Sequence, residues 1–219
     1  ILNSAKDTVA TLIPLTFGIG NFMIIPEKEE KYIVVFKVEK ENIFHNTLPE
    51  ISEKGYVIAV EDTNDEIISA TLTSNIGDND MRHIAFFVHA RQVIVKAAFK
   101  PLSGNSATLQ INKNELPDGI SHITAFDSNL KPLCERLYFK KPERKLSVTI
   151  TSQRQQYGKR QKVTLQLKGL CAETAGEASL SVSVHRSDSL EKGKLPGMLP
   201  YLLLTSELKG TVESPEFYF

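Results

Sequence analysis

From Gly55 onward, short apolar-rich runs return at nearly regular intervals with turn residues between them, and this rhythm limits the chain to an all-β fold. Strands are expected at Tyr56 to Val60, Ile67 to Ser74, His83 to Ala90, Gln92 to Phe99, Ala107 to Asn112, Ile120 to Phe126 and Leu133 to Phe139. Turn clusters separate most of them: Asp62-Thr63-Asn64-Asp65, Gly77-Asp78-Asn79-Asp80 and Ser103-Gly104-Asn105. Seven strands with a turn every ~8–12 residues is the pattern of an immunoglobulin-like β-sandwich. In the third strand Ile84, Phe86, Val88 and Ala90 are expected to face the core and His83, Ala85, Phe87 and His89 to face outward, because successive strand side chains point to opposite faces. There is no Trp, so the Cys…Trp…Cys arrangement of antibody domains is excluded.

Glu115 to Phe139 spells out one complete hairpin. Leu116-Pro117-Asp118-Gly119 breaks the chain, Ile120 to Phe126 is strand-like, and Asp127-Ser128-Asn129 supplies side chains that bond their own backbone in a turn. Leu133 to Phe139 then resumes a strand. Pro132 stands at its edge, where a missing N–H costs little. Leu133, Glu135, Leu137 and Phe139 alternate with Cys134, Arg136 and Tyr138, so both faces carry apolar area, as in the closing strands of a sandwich.

At 219 residues the chain is too long for one sandwich of about 100 residues. Three divisions are expected: 1–50, β-strand material; 51–141, the seven-stranded sandwich; and 142–219, a further sandwich, whole or in part. In the first, Thr8 to Ile13, Phe22 to Ile25 and Tyr32 to Val38 read as strand material, with Pro26 to Lys31 a solvated turn. Lys140 to Lys145 is polar and contains proline, as linkers do. Beyond it the alternations Leu146/Val148/Ile150, Val163/Leu165/Leu167 and Ala178/Leu180/Val182/Val184 are expected to be strands. Tyr201 to Leu208 fits a short helix or a buried strand equally. Ile1 enters without a methionine and Phe219 ends an apolar segment, so the chain is expected to be a piece of a longer protein.

Charge is balanced at 26 basic against 26 acidic residues, and no net field recruits nucleic acid or an anionic membrane. No run approaches the ~20 apolar residues of a membrane helix, so no direct membrane insertion is expected. Two cysteines make no disulfide framework; Cys134 and Cys171 are expected to be free. His83 and His89 share strand parity but lie ~20 Å apart along a strand, and His45 and His122 read as turn or half-buried strand residues. With neither HExxH nor CxxC present, no metal ligand is assigned. No Gly-x-Ser-x-Gly occurs, Gly18-Ile19-Gly20 lacks the third glycine of a dinucleotide loop, and Gly104-Asn105-Ser106 lacks a Walker lysine. Asp62, Asn64, Asp65 and Glu66, like Asp78, Asn79 and Asp80, carry oxygens calcium prefers but not at EF-hand spacing, and they read as turns. No catalytic residue and no cofactor is therefore expected.

Several of these segments carry a resemblance. Leu116-Pro117, Gly119-Ile120, Ile123-Thr124-Ala125-Phe126-Asp127 and Pro132 to Phe139, together with Phe17 to Phe22 before Pro26, Leu48-Pro49 with Gly55-Tyr56-Val57, Tyr157-Gly158-Lys159 and Tyr201 to Leu208, resemble the macroglobulin (MG2)-domain proteins of the Bacteroidetes envelope. These are similar to the alpha-2-macroglobulin family and often precede a TonB-dependent receptor plug module. The resemblance implies tandem macroglobulin-type sandwiches in the periplasm or at the outer membrane of a Gram-negative cell. It further implies that 1–50 is the later half of one such macroglobulin-like β domain, and that the role is non-enzymatic, structural and interactive, as in a docking arm of a TonB-dependent transport assembly. Its partners would be other domains of the same longer chain and envelope proteins. The wider family's thioester needs Cys-Gly-Glu-Gln, whereas Cys134 is followed by Glu135-Arg136-Leu137 and Cys171 by Ala172-Glu173-Thr174. Two alternatives remain open: a protease-binding inhibitor with a bait in Ser187 to Pro200, and a carbohydrate-binding or adhesin module, which the absence of Trp disfavours.

Overall fold

The computed structural model describes residues 1–14, 16, 19–38, 42–76, 83–143, 146–171, 174–175, 179–184 and 197–219. Their regular structure is almost wholly antiparallel β, and contacts divide the chain into two compact units. The first comprises Ile1–Glu115 with His122–Leu137, the second Leu116–Ser121 with Tyr138–Phe219.

The first unit opens on a hairpin of β1 (Ile33–Val38) and β2 (Asn42–Thr47). Ile1, Tyr32 and Val34 form a small core there, with Phe22, Ile24 and Leu48 packed against it. Tyr32 to Val38 was expected as a strand. Thr8 to Ile13 and Phe22 to Ile25 are not strands; the former contributes a single bridge, Leu2 to Thr8. Ala10, Phe22 and Ile24 pack against the small core instead, while Val9, Ile13, Met23 and Ile25 are exposed.

All seven segments expected between Tyr56 and Phe139 are strands: β3 (Tyr56–Asp62), β4 (Ile67–Ser74), β5 (His83–Ala90), β6 (Val93–Pro101), β7 (Ser106–Asn112), β8 (Gly119–Phe126) and β9 (Pro132–Lys140). They form two antiparallel sheets, ordered β3-β4-β7 and β6-β5-β8-β9. Ile68, Ala70 and Leu72 of β4, Leu109 and Ile111 of β7, Ile84, Phe86 and Val88 of β5, and Ile123 and Ala125 of β8 are all buried. Period-two burial on both sheets gives a sandwich-like core. Ala85, expected to face outward, is also buried. Its register partners on either side are Phe99 and Phe126, between which a methyl group has little water to meet.

Two turns set the hairpins. Arg91 and Gln92 both have positive φ, 48° and 65°, which is the two-residue primed turn that matches strand twist. After β8, Asp127 Oδ1 accepts the N–H groups of Asn129 and Lys131, and Leu130 N donates to the Asp127 carbonyl. Leu130 closes this loop at φ 60°, a left-handed conformation that costs a branched residue free energy. Leu130→Gly is therefore expected to raise stability by about 0.5–1 kcal/mol, read from denaturant midpoints.

In the second unit β10 (Leu146–Ser152), β11 (Leu165–Cys171) and β12 (Thr174–Ala175) form a sheet in that order. The first two of the three strands expected beyond the linker are present. The third is not: residues 179–184 carry no strand, and Leu180, Val182 and Val184 are exposed, while Ala178 lies outside the described residues. Alternation without a neighbouring ladder leaves backbone groups to water, and such a segment need not become a strand. Tyr201 to Leu208 resolves towards helix, with Met198–Pro200 running into a π-turn, Tyr201–Thr205. Leu204 is buried there. Phe139 and Phe219 meet edge to face at 5.5 Å, and Lys140 Nζ donates to the Leu116 carbonyl at 2.9 Å. Ser121 is fully buried, and its Oγ has no hydrogen-bond partner among the described residues. An unpaired buried hydroxyl costs about 1 kcal/mol or more, so Ser121→Ala is expected to stabilise by about that amount in a thermal melt.

Candidate metal centre

The outward face of β5, β8 and β9 assembles a cluster that no local sequence pattern announces. β5 pairs with β8 so that His89 stands directly opposite His122. Their rings stack, with centroids 4.7 Å apart and planes 7° from parallel. β9 lies next to β8 in the sheet and brings Glu135, whose Oε1 is 3.2 Å from His122 Nδ1. Thr124 Oγ1 donates to the other carboxylate oxygen, Oε2, at 2.8 Å. One ligand atom from each of His89, His122 and Glu135 can be chosen so that all lie within 4.8 Å of one another. The histidines are half-buried, and the carboxylate side chain is 45 % exposed.

The β5–β6 register shifts where Val88 faces Lys96 and His89 faces Ile94, so the extra residue, Val95, lies on β6 beside the cluster's strand. Bulges bend a strand and re-aim side chains, and they concentrate beside functional sites. Phe87 and Phe126 sit edge to face at 5.3 Å on the same face.

Burial pushes the Glu135 carboxyl up. Hydrogen bonds from Thr124 and His122 and the charges of His122 and His89 outweigh that, and hold it below the ordinary carboxylate range. A carboxyl whose folded pKa is depressed contributes stability above its unfolded pKa and loses it as pH falls through the folded value. Glu135→Gln is accordingly expected to lower the Tm modestly near neutral pH, with the difference from the parent closing as pH drops through the depressed Glu135 pKa. Melts over a pH series check this; a difference that does not change with pH would contradict it.

The other residues weighed from the sequence are dispersed. His83 begins β5, at the opposite end from His89, and His45 is exposed on β2. In the turn Asp62 to Glu66, Asn64 Oδ1 accepts the N–H groups of Glu66 and Ile67, and Asp62 pairs with Lys113 at 2.7 Å. The Asn64 oxygen thus serves the turn itself and the Asp62 carboxylate an ion pair. Asp78, Asn79 and Asp80 lie outside the described residues, as do Gly18 of the Gly18-Ile19-Gly20 turn, the Cys171 side chain and residues 187–196 of the loop Ser187 to Pro200. Cys134 is a half-buried free thiol that burial pushes up, which leaves it protonated and a poor nucleophile. An open cleft of about 860 Å³ runs past Ile25, Lys28, Glu53, Asn75 and Leu133. Asn75 is held there by Gly55 N–H and the Glu53 carbonyl, and Lys28 pairs with Glu53 at 3.0 Å, so these groups serve the local fold. No helix among the described residues is long and apolar enough to cross a membrane.

Fold and site together define an all-β, sandwich-like protein with a histidine–carboxylate cluster on one sheet face. No family model matches the chain, and no curated protein matches it significantly.

Proposed function

We propose that the chain is a non-enzymatic structural and interaction module of a Gram-negative cell-envelope protein, of macroglobulin-like, immunoglobulin-like sandwich type. Its role is that of a docking arm in the periplasm or at the outer membrane, in association with a TonB-dependent transport assembly. The strand order β3-β4-β7 and β6-β5-β8-β9 agrees with a seven-stranded immunoglobulin-like arrangement, in which strands one, two and five share a sheet and the remainder form the other.

The observation that carries the docking role is the sheet of the second unit. Register places Leu146, Val148 and Ile150 of β10 opposite Cys171, Gly169 and Leu167 of β11. Strand alternation therefore gathers Leu146, Val148, Ile150, Leu165 and Leu167 on one face, with Ser152 at its end, and puts Ser147, Thr149, Thr151, Gln166 and Lys168 on the other, where Leu170 is the apolar exception. Every residue of β10 is exposed, Ile150 at 59 %. A face with that alternation is built to lie on a second sheet, as the inner faces of sandwiches do. Its occupant is the apolar face of a β-sheet from a neighbouring envelope domain. Among the described residues β10 is an edge strand of its sheet, and strand addition there would extend the same contact.

Affinity capture from envelope extract with the full-length parent protein, followed by mass spectrometry, tests this reading. Recovery of a TonB-dependent transport component, lost in Val148→Lys and Ile150→Lys, is the expected outcome. Recovery of proteases with cleavage between Ser187 and Pro200 would replace the reading with that of an inhibitor.

A further inference from the structure

We propose that His89, His122 and Glu135 bind one divalent transition-metal ion of the zinc class, which ties β5, β8 and β9 together and keeps one coordination position open to solvent. Two imidazole nitrogens and one carboxylate oxygen suit zinc and its first-row neighbours, whereas calcium and magnesium take shells of oxygen. Three protein ligands with a fourth, open position is the usual composition of a non-structural zinc site.

Geometry agrees with the donor set. Bonds of ~2.0–2.2 Å in a tetrahedron place ligand atoms about 3.4 Å apart. The His122 Nδ1 to Glu135 Oε1 edge is already 3.2 Å, and the remaining edges lie within 4.8 Å. A metal lies in the plane of each imidazole that binds it, so the His89 ring must turn out of its parallel stack on His122, with the half-exposed Glu135 side chain following, to close that gap. In this arrangement the ion takes the place between His122 and Glu135 now spanned by their contact.

The surroundings are built in the way metal ligands require. Thr124 Oγ1 holds Glu135 Oε2 at 2.8 Å, an outer hydrogen bond of the kind that orients a ligating carboxylate. The β5–β8 register sets the first histidine directly opposite the second. All three ligands come from strands of one sheet, whose backbone is fixed by ladder hydrogen bonds, so little ordering remains to oppose binding. This site is independent of the apolar face of the second unit, and either proposal can fail without the other.

Isothermal titration of the full chain with ZnCl2 near neutral pH tests the site, alongside Co²⁺ absorption and thermal melts. One equivalent is expected to bind in the micromolar range, to raise Tm by mass action, and to give a visible Co²⁺ band of low-coordinate nitrogen–oxygen type. Glu135→Gln and His89→Ala are expected to weaken binding at least tenfold, and Thr124→Val by roughly 10–100-fold, while His45→Ala leaves it unchanged. Glu135→Gln keeps side-chain size at a half-exposed position, so loss of binding in a variant that is still folded at the titration temperature, with a cooperative if modestly lower melt, cannot be assigned to unfolding. Absence of stoichiometric binding to the parent chain, or binding that survives both Glu135→Gln and His89→Ala, would overturn the proposal and leave an ion pair with stacked rings only.

Discussion

Phe86→Ala is expected to lower the unfolding free energy of the first unit by about 4 kcal/mol. Phe86 is fully buried at the centre of β5, between Ile84 and Val88, which are equally buried. Removing the ring forfeits its transfer free energy and leaves a cavity that the flanking sheets can only partly close. Marginal stability of 5–15 kcal/mol is typical of domains, so this loss would bring the unit close to unfolding at ordinary temperature. Phe99→Ala is the matched control. Phe99 is 68 % exposed on β6, and a surface truncation of this kind stays within about 0.5 kcal/mol. Equilibrium denaturation of both variants checks the pair; similar midpoints would place Phe86 outside the core and contradict the sandwich-like packing.

Gly119→Ala is expected to destabilise the second unit by roughly 3 kcal/mol, through backbone strain and overpacking together. Gly119 has φ 98°, and a Cβ built there would stand 2.8 Å from the Leu203 carbonyl oxygen and 3.2 Å from its Cα. Those atoms are main chain of the π-turn and cannot rotate aside. Gly104 separates the two costs. It also has positive φ, 62°, but a Cβ there meets nothing within 4 Å, so Gly104→Ala carries only the conformational term of about 1–2 kcal/mol. If both substitutions cost the same, the close approach of Leu203 to Gly119 is not what fixes the helical stretch against the start of β8.

How far the sequence could be read depended on whether the deciding contacts were local. Ile84, Phe86, Val88 and Ala90 alternate over one strand and are buried as that alternation requires. Asp127 closes its own turn through its side chain, so the β8–β9 hairpin was legible residue by residue. Leu202-Leu203-Leu204 was ambiguous because three consecutive apolar residues satisfy both periods. The answer came from tertiary packing, with Leu204 buried and Leu202 half-exposed. β2 was not singled out, since Asn42, His45 and Asn46 have little preference for strands; pairing with β1 overrides that. Leu180, Val182 and Val184 erred in the other direction, having the pattern of a strand without a ladder.

The histidine cluster was hidden for a topological reason. Along β5, parity linked His89 to His83, and distance ruled that pair out. The partner that matters, His122, sits on a strand that is not next in sequence, and only the β5–β8 register brings the two rings together. Glu135 was visible as one member of an alternating strand, but its role depends on its neighbours across β8.

Docking of the apolar face of the β10–β11 sheet on another β-sheet, as proposed, has a direct test. The direct test places a photo-crosslinking residue at Val148 in the full-length protein, and in a second variant at Thr149, and identifies the crosslinked peptides in intact envelope. Crosslinks from Val148 to strands of a neighbouring envelope domain, with few or none from Thr149, are the predicted result. Equal labelling from the two positions, or none from Val148, would contradict it, because the face that alternation makes apolar would then have no sheet upon it.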